Sequence, residues 1–270
     1  MLARLLAAAV LCHASAHAQS AAPLDTMLDV GGYRLHLVIH RGTLPVTVVM
    51  ESGGAATISR WKGVDQTIAQ RSGATVVTYE RAGFGRSELG PSELMPATQV
   101  ADLGKALERL AVPARRIIVG HSYGGLMAVA HASAYSEQVA GVVLVDPMNA
   151  RFVDATGDFV FSTVPHITEP KTDVERAISR LVRTFPDIAS IARAAEPKLR
   201  MPVVVITGTR SMWNNREAED RAWRDSHAAI ASAAPGRRLV VAERSGHDVP
   251  SDRPDTIVEA VLSLMPAPTR

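Results

Sequence analysis

Six short runs of apolar, mostly β-branched residues recur along the chain, at 46–50, 75–79, 117–119, 142–145, 203–206 and 239–241. Each is apolar nearly throughout instead of alternating, which is the pattern of a strand buried on both faces. Stretches of helical character separate them, at 57–70, 97–110, from Leu126 onward, 217–231 and 256–265. In the second of these Val100, Leu103, Leu107 and Leu110 recur at the helical period. Strands alternating with helices predict a parallel, doubly wound α/β sheet, with ligand chemistry at the carboxyl ends of its strands. Residues 27–30 and 33–40, joined by Gly31-Gly32, predict an antiparallel pair at the start. Residues 151–199 break the alternation. They hold no clear strand, helical stretches at 174–183 and 188–195, and prolines at 165, 170, 186 and 197. This segment reads as a small helical lid inserted over the sheet edge of a single domain, 19–270.

The first residues change the picture. Arg4, an apolar stretch over 5–11 and Ala16-His17-Ala18 before Gln19 form a signal-peptide pattern over 1–18. It is too short to span a bilayer, so no stable membrane insertion is expected, and the chain is predicted to be exported, to a periplasm or out of the cell. Leu11 precedes Cys12, where a lipid-anchor signal wants a small residue. Cys12 is the only cysteine. A chain cleaved after residue 18 would then lack cysteine, and no disulfide, thiol nucleophile or cysteine–metal site is expected.

With 270 residues, 47% hydrophobic, the chain is long enough for one large core. Removing Arg4 from the 29 basic residues leaves 28 against 27 acidic ones, without a run of like charge. That balance gives no footing for nucleic acid or an acidic membrane surface. No histidine–acid cluster has metal-ligand spacing, and no cofactor is expected. Glu80-Arg81-Ala82-Gly83-Phe84-Gly85-Arg86-Ser87 lacks the third glycine of a dinucleotide site and reads as a turn braced by Glu80 and Arg81.

Candidate chemistry gathers at Gly120-His121-Ser122-Tyr123-Gly124. A strand that turns sharply into a helix at a serine presents its hydroxyl at the strand's carboxyl end, and flanking glycines let the turned chain pass close to itself. The Tyr123 N–H, at the positive end of the helix dipole, can meet a developing oxyanion. A serine needs a base, and the base needs an acid. Of nine histidines, His13 and His17 fall in the signal segment. His36 and His40 belong to early strands, His131 and His227 to helices, and His166 to the lid, where it could touch substrate. His121 reads as a packed structural histidine. His247, in the loop after the last strand, falls at the same edge as Ser122 and is the candidate base.

For the acid, the loop after 203–206 holds Thr209-Arg210-Ser211-Met212 and no carboxylate. Asp146 ends the strand next to the serine's and is the first candidate; Glu217, Glu219 and Asp220 are alternatives that fall within a helix. Ser52-Gly53-Gly54-Ala55 follows a strand and is glycine-rich enough to aim amides into the site. Gly54 N–H is assigned as the second oxyanion donor, beside Tyr123 N–H.

These pieces together resemble the α/β-hydrolase-fold serine hydrolases over essentially the whole mature length. The matching segments are 48–54, 79–87, the elbow 120–124, 143–147 and Ser245-Gly246-His247. The resemblance implies Ser122 as nucleophile and His247 as base, with Asp146 at the acid position used by some members. Many members carry His-Gly at the oxyanion loop, where Ser52-Gly53 stands here. Members that cleave epoxides or carbon–halogen bonds use an aspartate nucleophile, against which Ser122 argues. The expectation is a serine hydrolase acting on a small-molecule carboxylic ester through an acyl-enzyme. A peptidase or amidase of the same fold, or a ligand-binding protein that has lost catalysis, are the alternatives.

Overall fold

The computed structural model describes residues 22–266, apart from 158, 165–166 and 214–215. The predicted signal segment with Cys12, and the lid histidine His166, lie outside the described residues. Among the described residues the strands are β1 (Leu24–Asp29), β2 (Arg34–His40), β3 (Thr47–Glu51), β4 (Thr75–Tyr79), β5 (Arg116–His121), β6 (Val139–Val145), β7 (Val203–Gly208) and β8 (Arg237–Ala242). They form one sheet in the order β1-β2-β4-β3-β5-β6-β7-β8. β2 pairs antiparallel with β1 and β4, and every other neighbour is parallel.

The helices are α1 (Val64–Ser72), α2 (Pro96–Arg109), α3 (Tyr123–Ala134), α4 (Ala150–Thr156), α5 (Phe159–Ser162), α6 (Asp173–Arg183), α7 (Phe185–Ala195), α8 (Glu217–Ser232), α9 (Val249–Asp252) and α10 (Pro254–Leu262). They cover both faces of the sheet. Alternate side chains of the central strands enter two cores, as the period of a strand requires. Ile118, Val142 and Leu144 pack with Leu103, Leu107, Met127, Ile188 and Trp223 on one face. Ile117, Val119, Val143 and Val145 pack with Trp61, Ile68, Ile257 and Val261 on the other. Strands buried from both sides explain why β3, β4 and β5 are buried at every position and read as continuous apolar runs.

Two elements differ from the sequence expectation. The helix expected over 57–70 is a short 3-10 turn, Ile58–Trp61, followed by α1. Lys62 (φ 47°) and Gly63 (φ 85°) are both left-handed, and two such residues in succession end one helix before the next begins. The loop after β8 contains the short α9, and the last helix begins at Pro254 instead of Thr256, with proline in its first turn. Between β6 and β7 the described chain is helical, as expected. Arg180, 5% exposed on α6, ties that segment to the body by donating to the carbonyls of Ala82 (2.7 Å), Leu89 (2.8 Å) and Pro91 (3.0 Å).

Candidate active site

Parallel register brings the carboxyl ends of β3, β5, β6 and β7 to one edge: Glu51 lies opposite Gly120, His121 opposite Val145, and Val145 opposite Ile206. Ser122 stands at that edge between β5 and α3, with φ 54° and ψ −126°. Serine rarely adopts this backbone, and the surroundings hold it there. Its N–H donates to Val145 O (3.1 Å), and its carbonyl accepts from Gly125 N (2.7 Å) and Met148 N (2.9 Å). The glycines on either side are compelled by close approach. A Cβ on Gly120 would lie 2.3 Å from Gly124 O, and one on Gly124 would lie 2.3 Å from Glu51 O.

Ser122 Oγ is 2.9 Å from His247 Nε2, and His247 Nδ1 is 2.7 Å from Asp146 Oδ2. Asp146 directly follows β6 in a left-handed conformation (φ 40°) and is 2% exposed. Its carboxylate accepts three bonds: from His247, from Trp223 Nε1 (3.0 Å) and from the Gly208 amide (2.9 Å). Burial alone would push this carboxyl up. The His247 bond, the nearby His227 and His247 rings and the Gly208 amide outweigh burial and hold the pKa below the ordinary 3.8. An ionised Asp146 accepts from Nδ1–H, which leaves Nε2 bare to accept the serine proton.

The structure thus brings Ser122, His247 and Asp146 together and does not bring the alternative acids to His247. Asp220 accepts from Ser211 Oγ and the Met212 amide, Glu219 pairs with Arg216, and Glu217 is exposed. His121 is packed, as expected, but beneath the site instead of apart from it. It is 4% exposed, its Nε2 donates to His247 O (2.9 Å), and its ring centre is 4.8 Å from that of His247. Burial, with His247 adding to it, lowers its pKa to about 4, so it stays neutral and holds the His247 backbone. Sequence reasoning missed Trp223 and His227. His227 is fully buried, bonded to Thr207 Oγ1 and Pro147 O (both 2.9 Å), with Nδ1 3.8 Å from Asp146 Oδ1. The i, i+4 spacing of two aromatic rings on α8 was the available signal.

The expectation that Glu80 and Arg81 brace one turn is corrected. Glu80 accepts from the Arg86 amide (2.6 Å) and bonds His36 (2.8 Å), whereas Arg81 reaches the other way. Its guanidinium, 4% exposed, donates to Ser52 O (2.6 Å) and to the carbonyls of Gly53 and Gly54. In a planar trans peptide the N–H points opposite to the C=O. With Gly53 O drawn to Arg81, the Gly54 N–H faces the other side. Gly53 and Gly54 line a cavity of about 380 Å³ together with Ser122 and His247. The Tyr123 N–H, in the first turn of α3, needs no partner within its helix. The Arg81 guanidinium also lies 5.1 Å from the centre of the Tyr123 ring.

Beneath this loop Glu51 ends β3, fully buried. The Tyr79 hydroxyl donates to its Oε2 at 2.5 Å, and Oε1 has no hydrogen-bond partner among the described residues. Burial, opposed by Arg81 and Tyr79, raises its pKa to about 7. No group of histidine, cysteine and acidic residues among the described residues could hold a metal ion. No helix among them is long and apolar enough to cross a membrane.

A doubly wound sheet presenting a serine, a histidine and an aspartate in hydrogen-bonded series at its strand ends is the architecture of a hydrolase. The chain belongs to the alpha/beta hydrolase family, whose model matches residues 48–260. It is 24% identical over 244 residues to the uncharacterized protein YqjL of Bacillus subtilis (strain 168), covering 89% of this chain and 92% of that one. Among solved structures it is similar to the enol-lactonase from Burkholderia xenovorans LB400 (TM-score 0.66, 21% identity, 88% of this chain and 99% of that one). It is also similar to a thermophilic esterase from Thermogutta terrifontis (TM-score 0.66, 19% identity, 90% and 97%). At these identities the likeness to the two structures is one of fold.

Proposed function

We propose that the protein is an exported serine hydrolase that cleaves small-molecule carboxylic esters through an acyl-enzyme. The observation that carries this reading is the series Ser122 Oγ–His247 Nε2–Asp146, at 2.9 Å and 2.7 Å, beside the Gly54 loop. Ser122 Oγ attacks the ester carbonyl carbon while its proton passes to His247 Nε2. Asp146 fixes the ring's tautomer and stabilises the imidazolium. The carbonyl oxygen becomes an oxyanion held by the Gly54 and Tyr123 amides. The carbon–oxygen bond to the alcohol then breaks, and His247 returns the proton to the departing oxygen. Water repeats the sequence on the acyl-enzyme, releasing the acid and restoring Ser122. The helical segment between β6 and β7 serves as the lid. Two fold relatives are themselves named as a lactonase and an esterase, which favours an ester over an amide. The pattern over 1–18 supports export.

The test is hydrolysis of p-nitrophenyl acetate by the mature chain and by Ser122→Ala. The variant should fold, by circular dichroism, and lose about 10⁴-fold or more in kcat. Unchanged turnover would refute the assignment.

A further inference from the structure

The cavity over Ser122 does not end at the reacting atoms. Its wall includes Ala55, Ala56 and Arg60, and the same three residues line a second cavity of about 380 Å³. The outer cavity adds Thr57, Ser59 and Lys62. It therefore presents two cations and two hydroxyls and no carboxylate. Thr57 Oγ1 and Ser59 Oγ lie 2.8 Å apart and share one hydrogen bond, which leaves a hydroxyl proton to donate elsewhere.

The two cations are only partly engaged. Arg60, with its side chain 43% exposed, pairs through Nη1 with Asp248 Oδ2 at 2.9 Å, leaving the other guanidinium nitrogens unpaired among the described residues. Asp248, the acidic residue of the inner cavity, is also held by Ser251 Oγ at 2.8 Å. Arg60 thus stands at the wall common to both cavities, one residue-pair away from His247 through Asp248. Lys62 is exposed and makes no ion pair among the described residues. Its ammonium is free to meet an anion at the edge of the outer cavity, which shares the wall of Ala55, Ala56 and Arg60 with the cavity over Ser122.

We infer that the substrate is an ester bearing an anionic group, a carboxylate or a phosphomonoester. Its reacting carbonyl sits at Ser122, and its anion lies in the outer cavity between Arg60 and Lys62. The free guanidinium edge and the ammonium supply charge-assisted donors, and a hydroxyl of Thr57 or Ser59 supplies a further one. Ester cleavage moves no charge there, so this group binds and orients without joining the reaction. The inference rests on the reading of Ser122 as nucleophile.

The experiment compares kcat/KM for anionic esters with that for neutral partners. The pairs are p-nitrophenyl hemisuccinate with p-nitrophenyl pentanoate, and 4-acetoxybenzoate with methyl 4-acetoxybenzoate. 4-Acetoxyphenyl phosphate, set against methyl 4-acetoxybenzoate, distinguishes phosphate from carboxylate. Two partly exposed cations should favour the anionic member of at least one comparison by about tenfold. That ratio should collapse towards one in Lys62→Gln, which breaks no ion pair or side-chain hydrogen bond among the described residues, and reverse in Lys62→Glu. Arg60→Gln should lower it as well, and 0.5 M sodium chloride should weaken it. A ratio near one in every comparison, or a preference that survives Lys62→Gln and Arg60→Gln, overturns the anionic subsite. Ser122-dependent turnover of the neutral esters would meanwhile leave the nucleophile standing. Failure to hydrolyse any of these esters, or turnover indifferent to Ser122→Ala, overturns both.

Discussion

Two carboxyls are buried at strand ends along the same edge of the sheet, and they have opposite fates. Asp146, after β6, accepts from an imidazole, an indole and a backbone amide, and its pKa is held below the ordinary value. Glu51, ending β3, accepts from one tyrosine hydroxyl, keeps one oxygen bare, and has its pKa raised to about 7. Burial is nearly the same, at 2% and 0% exposure. The donors differ, and they decide the charge. Asp146, held ionised by these donors, is equipped to face an imidazolium. Glu51 changes charge near neutrality, beneath the arginine that organises the Gly54 loop.

Removing the charge on the Asp146 side should have the largest effect. Asp146→Asn presents an amide to His247 and favours the wrong ring tautomer, so kcat for p-nitrophenyl acetate should fall about 10⁴-fold. A loss below tenfold would move the acid's role to another residue, with Glu217→Gln as the direct comparison.

On the Glu51 side the first lever is Arg81. Arg81→Lys keeps a positive charge but cannot span three carbonyls, so the Gly54 amide loses its fixed direction. Removing an oxyanion donor costs about 10²–10³ in rate. The variant should therefore lose about 10²-fold in kcat with little change in KM. An equal rise in KM with kcat intact would show that the loop binds substrate instead of the transition state.

The effect that leaves turnover aside is on stability. Below about pH 4.5 Glu51 is protonated in the folded and unfolded chains alike. Between there and about pH 7 the unfolded chain releases its proton while the folded one keeps it. Stability therefore falls as pH rises through this window and levels off above it. The shift from 4.5 to about 7 corresponds to about 3 kcal/mol. Urea unfolding at pH 5 and pH 8 should show that this part of the decline is absent in Glu51→Gln. Identical pH slopes would mean that Glu51 titrates normally in the fold.

The contrast also marks what could be read from the sequence. The central strands were legible because a strand buried on both faces cannot hide its apolar run. The meeting of Ser122 and His247 at one edge was legible because a glycine-flanked serine between strand and helix, and a histidine after the last strand, both fall at strand carboxyl ends. Asp146 could be named only as the first of four acids. Which carboxylate meets His247 depends on strand order and on Trp223, whose direction a helical period does not give. Arg81 was misread because its partners are carbonyls, which every residue carries. The break at Lys62 escaped because a lysine in the left-handed region leaves no trace in hydrophobic periodicity.

In the proposed mechanism the hydroxyl of Ser122 is a nucleophile made reactive by His247. The most direct test is the mass of the intact protein after incubation with a fluorophosphonate, followed by peptide mapping. One adduct per chain, on Ser122, formed by the wild type and lost in His247→Ala, is the predicted result. An unmodified wild type, or an adduct on another residue with Ser122 untouched, would contradict it.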